Sequence, residues 1–410
     1  MNVEWFIAKR MALGDKSSFS RFIIRIAIIA ISLSVAVMII SACMVTGFSK
    51  EIKKRIFGFW GEIHIENFEV SNAYETPPIN TSQLQLNKLK QNAAIKNIAP
   101  YIIKPTILKT KKEIEGIILK GVDSSYDWKS ITPFIRQGRA IHYVKDTAAV
   151  KEILVSQTTA DKLNIKLGDK VIAYFIKKEQ SNTIGRKLVV VGIYHTGLDE
   201  YDKDFALVDM RLLQELNQWK QGDAAGYEVR LWDMNRMNEL KDSIYYKYIG
   251  QELKAVTMRE ENLNIFEWLD LQRVNEYLIL GLMIIIAVLN MITALIILIL
   301  DRTKMIGILK ALGADNTSIS TLFIYNALYI IVYGLLWGNV IGLGFCIIQH
   351  YTGIIKLNEA NYYLSVAPIY FNIPFILAVN VGTVVICLLI LLVPVQLISN
   401  ISPLKSIRFE

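Results

Sequence analysis

The sequence predicts a membrane protein with four transmembrane α-helices (1+3) and a large α+β extracytoplasmic domain between helices 1 and 2. Four uncharged apolar stretches support this prediction: residues 26–49, 277–300, 316–349 and 360–404. A helix needs about 20 apolar residues to cross a bilayer, and a charge at its centre is costly. A long polar region separates the first stretch from the second, and it is large enough to form a folded domain with its own core.

The orientation follows from basic residues that flank the spans. They are Lys9, Arg10, Lys16, Arg21 and Arg25 before the first span, Arg302, Lys304 and Lys310 between the second and third, and Lys405 and Arg408 after the fourth. Such residues concentrate on the cytoplasmic side. We therefore predict that both termini are cytoplasmic and that residues 50–276 lie outside.

The predicted organisation has nine segments. They are a cytoplasmic amphipathic N-terminal helix (1–21), transmembrane helix 1 (22–48), a periplasmic α+β domain with stalks (49–274), transmembrane helix 2 (275–300), a cytoplasmic coupling helix (301–316), transmembrane helix 3 (317–350), a periplasmic loop (351–372), transmembrane helix 4 (373–398) and a cytoplasmic tail (399–410). The net charge of +8 is spread along the chain, which argues against a nucleic-acid partner. All three cysteines lie in apolar stretches, so no disulfide is predicted for the outside domain.

Short β-branched runs alternate with helical patterns in the outside domain. Predicted strands cover 62–66, 116–122, 171–176, 188–194, 205–208 and 227–231, and predicted helices cover 81–94, 158–163 and 211–217. Pro77, Pro78, Pro100 and Pro105 are expected to break the early part of this domain.

Helix-packing residues are predicted in the third span, where Gly334, Gly338 and Gly342 recur at four-residue spacing. Small residues on one face let two membrane helices approach closely. Packing within one chain and contact with a second subunit both fit this pattern.

Enzymatic chemistry finds no support in the sequence. No phosphate-binding loop of the form G-x-x-x-x-G-K-[ST] occurs, and the four histidines show no metal-ligand spacing. His195 precedes Asp199, Glu200, Asp202 and Asp204, which we interpret as a solvated turn. We predict no catalytic residue, no metal and no cofactor.

The segment between the second and third spans is the most specific motif. It reads Asp301-Arg-Thr-Lys-Met-Ile-Gly-Ile-Leu-Lys-Ala-Leu-Gly-Ala314, an apolar helical pattern that ends at a glycine. It resembles the signature E-R-x-x-E-I-G-I-x-K-A-L-G-A of FtsX-like and MacB-like ABC permeases, with Asp301 and Met305 in place of the two glutamates. An ordinary cytoplasmic loop is the alternative.

Four further segments are similar to lipoprotein-releasing permeases of the LolC/LolE type. They are residues 6–10, 47–53, 196–203 and 401–410. The resemblance implies a bacterial inner-membrane protein that pairs with a second permease subunit (a copy or a paralogue) and a cytoplasmic ABC ATPase dimer. Lipoprotein substrates leave the membrane lipid and pass to a periplasmic lipoprotein carrier.

The resemblance also implies roles for individual residues. ATPase coupling is assigned to Asp301, Arg302, Thr303, Lys304, Ile306, Gly307, Ile308, Lys310, Ala311, Gly313 and Ala314. Contact with lipoprotein or a paired subunit, or else ordinary stalk packing, is assigned to Val45, Phe48, Ile52, Ile265 and Leu269. A carrier-docking loop over 177–186 would use Lys177, Lys178, Thr183, Ile184 and Arg186, although it lacks the proline of the family's loop.

Two related functions remain open at this point. One is an efflux permease of the same fold. The other is a mechanotransmitting permease-like protein that regulates cell-wall hydrolases, whose outside domain is usually much smaller.

Overall fold

The computed structural model of the chain describes residues 18–68, 77–144, 149–176 and 183–395. Most of the predicted N-terminal helix (1–21) and the whole predicted tail (399–410) lie outside these residues. Two compact units are present. The sheet domain comprises 51–267 and 357–365, and the helical unit comprises the remaining described residues.

The described helices and strands are numbered here in chain order. The α-helices are α1 Ser18–Phe59, α2 Leu86–Lys90, α3 Trp128–Ile131, α4 Gln157–Leu163, α5 Asp199–Asp204, α6 Met210–Asn217, α7 Met237–Lys247, α8 Met258–Glu261, α9 Leu263–Asp301, α10 Thr303–Ala311, α11 Asn316–Thr352, α12 Glu359–Tyr362 and α13 Ile373–Val395. The strands are β1 Ile63–Asn67, β2 Ile95–Lys109, β3 Ile114–Val122, β4 Ile135–Gly138, β5 Glu152–Ser156, β6 Lys170–Ile176, β7 Thr183–Tyr194, β8 Phe205–Asp209, β9 Gly226–Leu231 and β10 Leu253–Thr257.

Four of the described helices are long and apolar enough to cross a membrane, namely α1, α9, α11 and α13. The predicted fold class, with one span before the folded domain and three after it, is therefore confirmed. Three of these helices extend past the predicted spans: α1 continues to Phe59, α9 already begins at Leu263, and α11 continues to Thr352.

Close helix contacts in the helical unit depend on small side chains of α11. A Cβ atom placed on Gly338 would lie 2.7 Å from Cβ of Val35 in α1, and Gly334 and Gly342 also face α1. These contacts are packing within one chain. Helices α11 and α13 are joined by a polar pair, since Asn339 donates a hydrogen bond to Asn380 (2.6 Å) and accepts one from it (3.1 Å).

Within the described residues, ten strands form one sheet in the order β10-β1-β9-β2-β3-β8-β5-β7-β4, and β6 pairs with β2 and β7 off this path. Two pairings, β3 with β8 and β5 with β7, are parallel. Apolar side chains from the strands and from α4 and α6 form the core. All six predicted strands and the helices predicted at 158–163 and 211–217 are present with shifted ends.

The prediction that prolines interrupt the early part of the domain is wrong at two positions. Pro100 and Pro105 both lie inside the long strand β2. Pro100 pairs with β9 only, because the pairing of β2 with β3 begins one residue later, at Tyr101. Pro105 pairs with β3 only, because on the other side of β2 it lies between the part paired with β9 and the part paired with β6. Each proline therefore has a partner strand on one side only, and the open side is where a missing N–H removes no sheet hydrogen bond.

The helix predicted over 81–94 is also wrong as a single element. Residues Thr81–Gln83 form a 3-10 turn, and only Leu86–Lys90 are α-helical. Between them Leu84 makes a β-bridge with Ile249, and the N–H of Gln85 donates to the carbonyl of Tyr248. These contacts with a distant segment replace the helical hydrogen bonds that local sequence favours.

Candidate functional site

The motif that resembles a coupling segment forms the nine-residue helix α10. Lys304, Ile308, Ala311 and Leu312 are exposed on one face at helical spacing. The exposed fraction is 54% for Ile308 and 80% for Leu312. Gly313 ends the helix with φ +92°, a conformation that favours glycine.

The other predicted coupling residues are distributed around this helix. Ile306 and Gly307 are buried, Asp301 and Gly313 are exposed, and Arg302, Thr303, Lys310 and Ala314 are half-buried. Gly307 therefore faces the interior of the helical unit, so the exposed apolar face comes from Ile308, Ala311 and Leu312.

An apolar cavity of about 350 Å³ lies between α1 and α9 in the helical unit. Its lining residues are Val37, Ile40, Ser41, Met44, Val45 and Phe48 of α1 with Gln272 and Ile279 of α9. Predicted contact residues Val45 and Phe48 belong to this lining, and the Phe48 ring also packs edge-on against Trp268. Ile52, Ile265 and Leu269 are buried by packing instead.

The residues predicted to form the carrier-docking loop are described only in part. Lys177 and Lys178 lie outside the described residues. Thr183, Ile184 and Arg186 belong to strand β7, where Thr183 pairs with Ile176 and Arg186 pairs with Ala173 of β6. Their β-branched and long side chains continue the hairpin ladder, so the prediction of a loop over 183–186 is wrong.

A basic cleft of about 870 Å³ adjoins the strands of this hairpin. Lysines from three segments line it: Lys109, Lys111 and Lys112, then Lys170, then Lys187. Glu113 and Asp169 are the acidic lining residues. Sequence reasoning missed this cleft because its lysines are far apart along the chain.

The end of α1 is held by charged side chains buried in the sheet domain. Lys120 of β3 is fully buried, donates to the carbonyl of Phe59 (2.7 Å) and forms an ion pair with Glu228 (2.6 Å). Arg230 of β9 donates to the carbonyls of Phe57 and Gly58. The last carbonyls of a helix lack partners within it and carry partial negative charge, so these cations satisfy them.

Burial lowers the pKa of Lys120 to about 8, and the attraction to Glu228 opposes that shift. Tyr126 also donates to the carbonyl of Phe59 (2.7 Å). The sequence contains one signal of this network, a lysine inside the apolar strand 117–122. A charge at such a position needs a buried partner.

The turn after β7 is only partly solvated, so the interpretation as a solvated turn is wrong for Asp202. Asp202 is 2% exposed, and its carboxylate accepts hydrogen bonds from the N–H groups of Thr196 (2.9 Å) and Gly197 (2.8 Å). His195 Nδ1 lies 3.0 Å from Asp202, and Nε2 lies 3.1 Å from Glu359. The carboxylate of Asp202, 3.0 Å from Nδ1, raises the pKa of His195 above its ordinary value.

No group of three or more potential metal-ligating side chains is found in the described part of the chain. The acidic residues after His195 take different roles. Asp199, Glu200 and Asp204 are exposed, whereas Asp202 organises the turn.

Comparisons with known proteins match both parts of the chain. The model of the MacB-like periplasmic core domain matches residues 26–245, more than half of the chain, and the model of the FtsX-like permease C-terminal matches residues 277–403.

Two relatives and one solved structure illustrate the similarity. The lipoprotein-releasing system transmembrane protein LolC of Xylella fastidiosa (strain 9a5c) is 22% identical over 410 residues, 96% of each chain. The corresponding LolE of Haemophilus influenzae is 26% identical over 349 residues, 84% of this chain and 82% of that protein. The periplasmic region of MacB from Actinobacillus actinomycetemcomitans is 15% identical with a TM-score of 0.34, over 52% of this chain and 97% of that one.

Proposed function

The chain belongs to the family of FtsX-like and MacB-like ABC permeases, and from this premise we propose that it extracts lipoproteins from the bacterial inner membrane and passes them to a periplasmic carrier. A separate ATPase dimer drives this work, because the chain has no phosphate-binding loop. The permease is paired with a second copy or a paralogue. Relatives that share its full length are lipoprotein-releasing proteins by name.

The cavity between α1 and α9 is the observation that carries this proposal. It is bounded by two spans and lined mainly by apolar side chains, which suits an acyl chain leaving the bilayer. Each buried CH₂ group of an acyl chain holds a lipoprotein in the membrane by about 0.8 kcal/mol, so extraction needs an external energy source.

The exposed face of α10 is the proposed docking surface for the ATPase. Ile308 and Leu312 expose apolar area beside Lys304, and exposed apolar patches mark interaction sites. Replacing Ile308 with arginine should abolish pull-down of the ATPase and ATP-driven release. The control Ile308→Leu keeps an apolar side chain of similar size at the same position, and it should bind as wild type does.

The carrier is proposed to dock beside the β6–β7 hairpin. The lysine-lined cleft next to it favours an acidic partner surface, because complementary charges speed and orient association. This replaces the earlier assignment of Thr183, Ile184 and Arg186 as loop residues. Lys177 and Lys178 remain predicted contacts.

Filling the cavity tests the substrate assignment. The full chain and its co-purifying ATPase are reconstituted in proteoliposomes that contain a fluorescent triacylated lipopeptide, and ATP-dependent release is measured. Val45→Trp places a large ring in the cavity lining, and Leu33→Trp places it on the 62%-exposed face of the same helix. Release should fall about tenfold or more for Val45→Trp, a change of about 1.4 kcal/mol, and stay near wild type for Leu33→Trp.

Equal release by both variants would contradict the assignment of the cavity. Export of a drug or peptide without lipopeptide release would favour the efflux alternative. ATP-dependent activation of a cell-wall hydrolase would favour the mechanotransmitting alternative.

A further inference from the structure

Arg55, near the end of α1, bonds to two segments of the sheet domain that are far apart in sequence. Its guanidinium donates to the carbonyl of Thr196 (2.5 Å) and to that of Tyr363 (3.1 Å). The same group lies 3.7 Å from Glu359, and the Arg55 side chain is 12% exposed. Charge-assisted hydrogen bonds from a largely buried arginine are among the stronger polar contacts in proteins.

His195 forms the second connection in this cluster. Its two ring nitrogens lie 3.0 Å from Asp202 and 3.1 Å from Glu359, so the imidazole bridges two carboxylates. Asp202 is itself fixed by the N–H groups of Thr196 and Gly197. Glu359 therefore contacts both Arg55 and His195.

The backbone around the cluster is adapted to this arrangement. Gly197 has φ +74°, and a Cβ atom there would lie 2.0 Å from Nη1 of Arg55 and 2.5 Å from the Glu359 carboxylate. Tyr363, whose carbonyl accepts from Arg55, has φ +60° although it is not a glycine. A positive φ strains the backbone of a residue with a side chain, and it persists at Tyr363 only when surrounding contacts impose it.

Residues 357–365 connect the third span to the fourth, yet they belong to the sheet domain. Directly outside them, Lys356 and Val366 form a β-bridge. The buried Gln349 of α11 donates to the carbonyl of Ala367 (3.1 Å) and accepts from the N–H of Ile355 (2.9 Å). Both ends of the connection are thus tied to the end of the third span.

We propose that Arg55, His195 and Glu359 form a latch that fastens the connection between the third and fourth spans to the sheet domain. These are positioning residues: movement of the two spans during ATP turnover reaches the sheet domain through them. The inference rests on the proposed function for the source of that movement. The inference goes beyond the proposed function by naming the residues of the sheet domain to which movement of these spans is transmitted.

Hydrogen–deuterium exchange of the full chain, reconstituted with its co-purifying ATPase, tests the latch. Exchange is measured with and without ATP, and release of the fluorescent triacylated lipopeptide per ATP hydrolysed is measured in parallel. The variants are Arg55→Lys, which keeps the charge but loses the guanidinium fork, and Glu359→Gln, which removes only a charge. Glu200→Gln is the matched control, because Glu200 is exposed in the same turn region.

We expect both latch variants to hydrolyse ATP but to release about fivefold less lipopeptide per ATP, the lower end of typical coupling between sites. Exchange over 357–365 should rise about tenfold, and ATP-dependent changes of exchange in the sheet domain should be lost. Wild-type behaviour of both variants in exchange and in release per ATP would overturn the latch. If the wild type releases no lipopeptide but shows ATP-dependent exchange that the variants lose, the proposed function fails and the latch stands.

Discussion

Replacing Lys120 with methionine removes the cation at the end of α1 while keeping an unbranched side chain of similar length. Lys120 is fully buried, and its ammonium contacts Glu228, the carbonyl of Phe59 and the ring of Trp60, whose centroid is 3.5 Å away. The substitution leaves the 2%-exposed Glu228 without its cation and the Phe59 carbonyl with one donor fewer.

Breaking a buried ion pair by removing one partner costs about 3–5 kcal/mol, because the remaining charge is uncompensated. This is a large share of the roughly 5–15 kcal/mol by which a domain is stable. For a domain of this size the melting temperature should fall by about 6–20 °C. Lys162→Met is the matched control: its ion pair with Glu115 is partly exposed and is worth about 0–1 kcal/mol.

The assay is urea unfolding of the full chain in mild detergent near pH 7, followed by tryptophan fluorescence, since Trp60 lies beside Lys120. The double variant Lys120→Met/Glu228→Gln removes both charges and keeps an acceptor for the N–H of Gly61, so it should regain at least half of the lost stability. A loss for Lys120→Met no larger than that of Lys162→Met would refute the reasoning.

Three further predictions concern other parts of the chain. The pKa of His195 is raised in the folded chain, so protonation of His195 stabilises the fold fully below about pH 6.5. This contribution is lost as the pH rises through the raised pKa. In urea titrations, His195→Gln should therefore destabilise the chain more at about pH 5.5 than at about pH 8.5. Gly338→Leu should lower thermal stability in detergent by about 1–3 kcal/mol through overpacking, whereas Gly344→Leu, where a Cβ meets open space, should be nearly neutral. Cysteine at exposed Ser124 should react with an impermeant maleimide in intact spheroplasts and cysteine at Asn316 only after permeabilisation, and the reverse pattern would contradict the predicted topology.

The membrane helices and most strands could be predicted because each depends on a local property of the sequence. Long uncharged apolar runs have few stable alternatives to a transmembrane helix. The helix α10 could be predicted for the same reason, since its apolar spacing and Gly313 are local signals. The sequence did not predict which face of α10 is exposed, because burial of Gly307 depends on how the helix packs.

Strand β2 shows where local rules fail. Pro100 and Pro105 argue against a strand when each is considered alone. They are tolerated because β9, β3 and β6 cover β2 in a staggered way and leave one side open at each proline. The positions at which these strands begin and end along β2 depend on the whole sheet, so the sequence around the prolines does not predict them.

The polar residues that fix α1 in the sheet domain were missed for a related reason. Lys120 and Arg230 lie on different strands, and the carbonyls that they contact belong to Phe57, Gly58 and Phe59. A buried cation is costly unless well-placed partners compensate for its lost hydration, and here the tertiary fold supplies those partners. The partners of Arg55 are likewise distant in sequence, because they are the carbonyls of residues 196 and 363 of the sheet domain. The last helical turns of α1 are therefore held from several directions within the sheet domain.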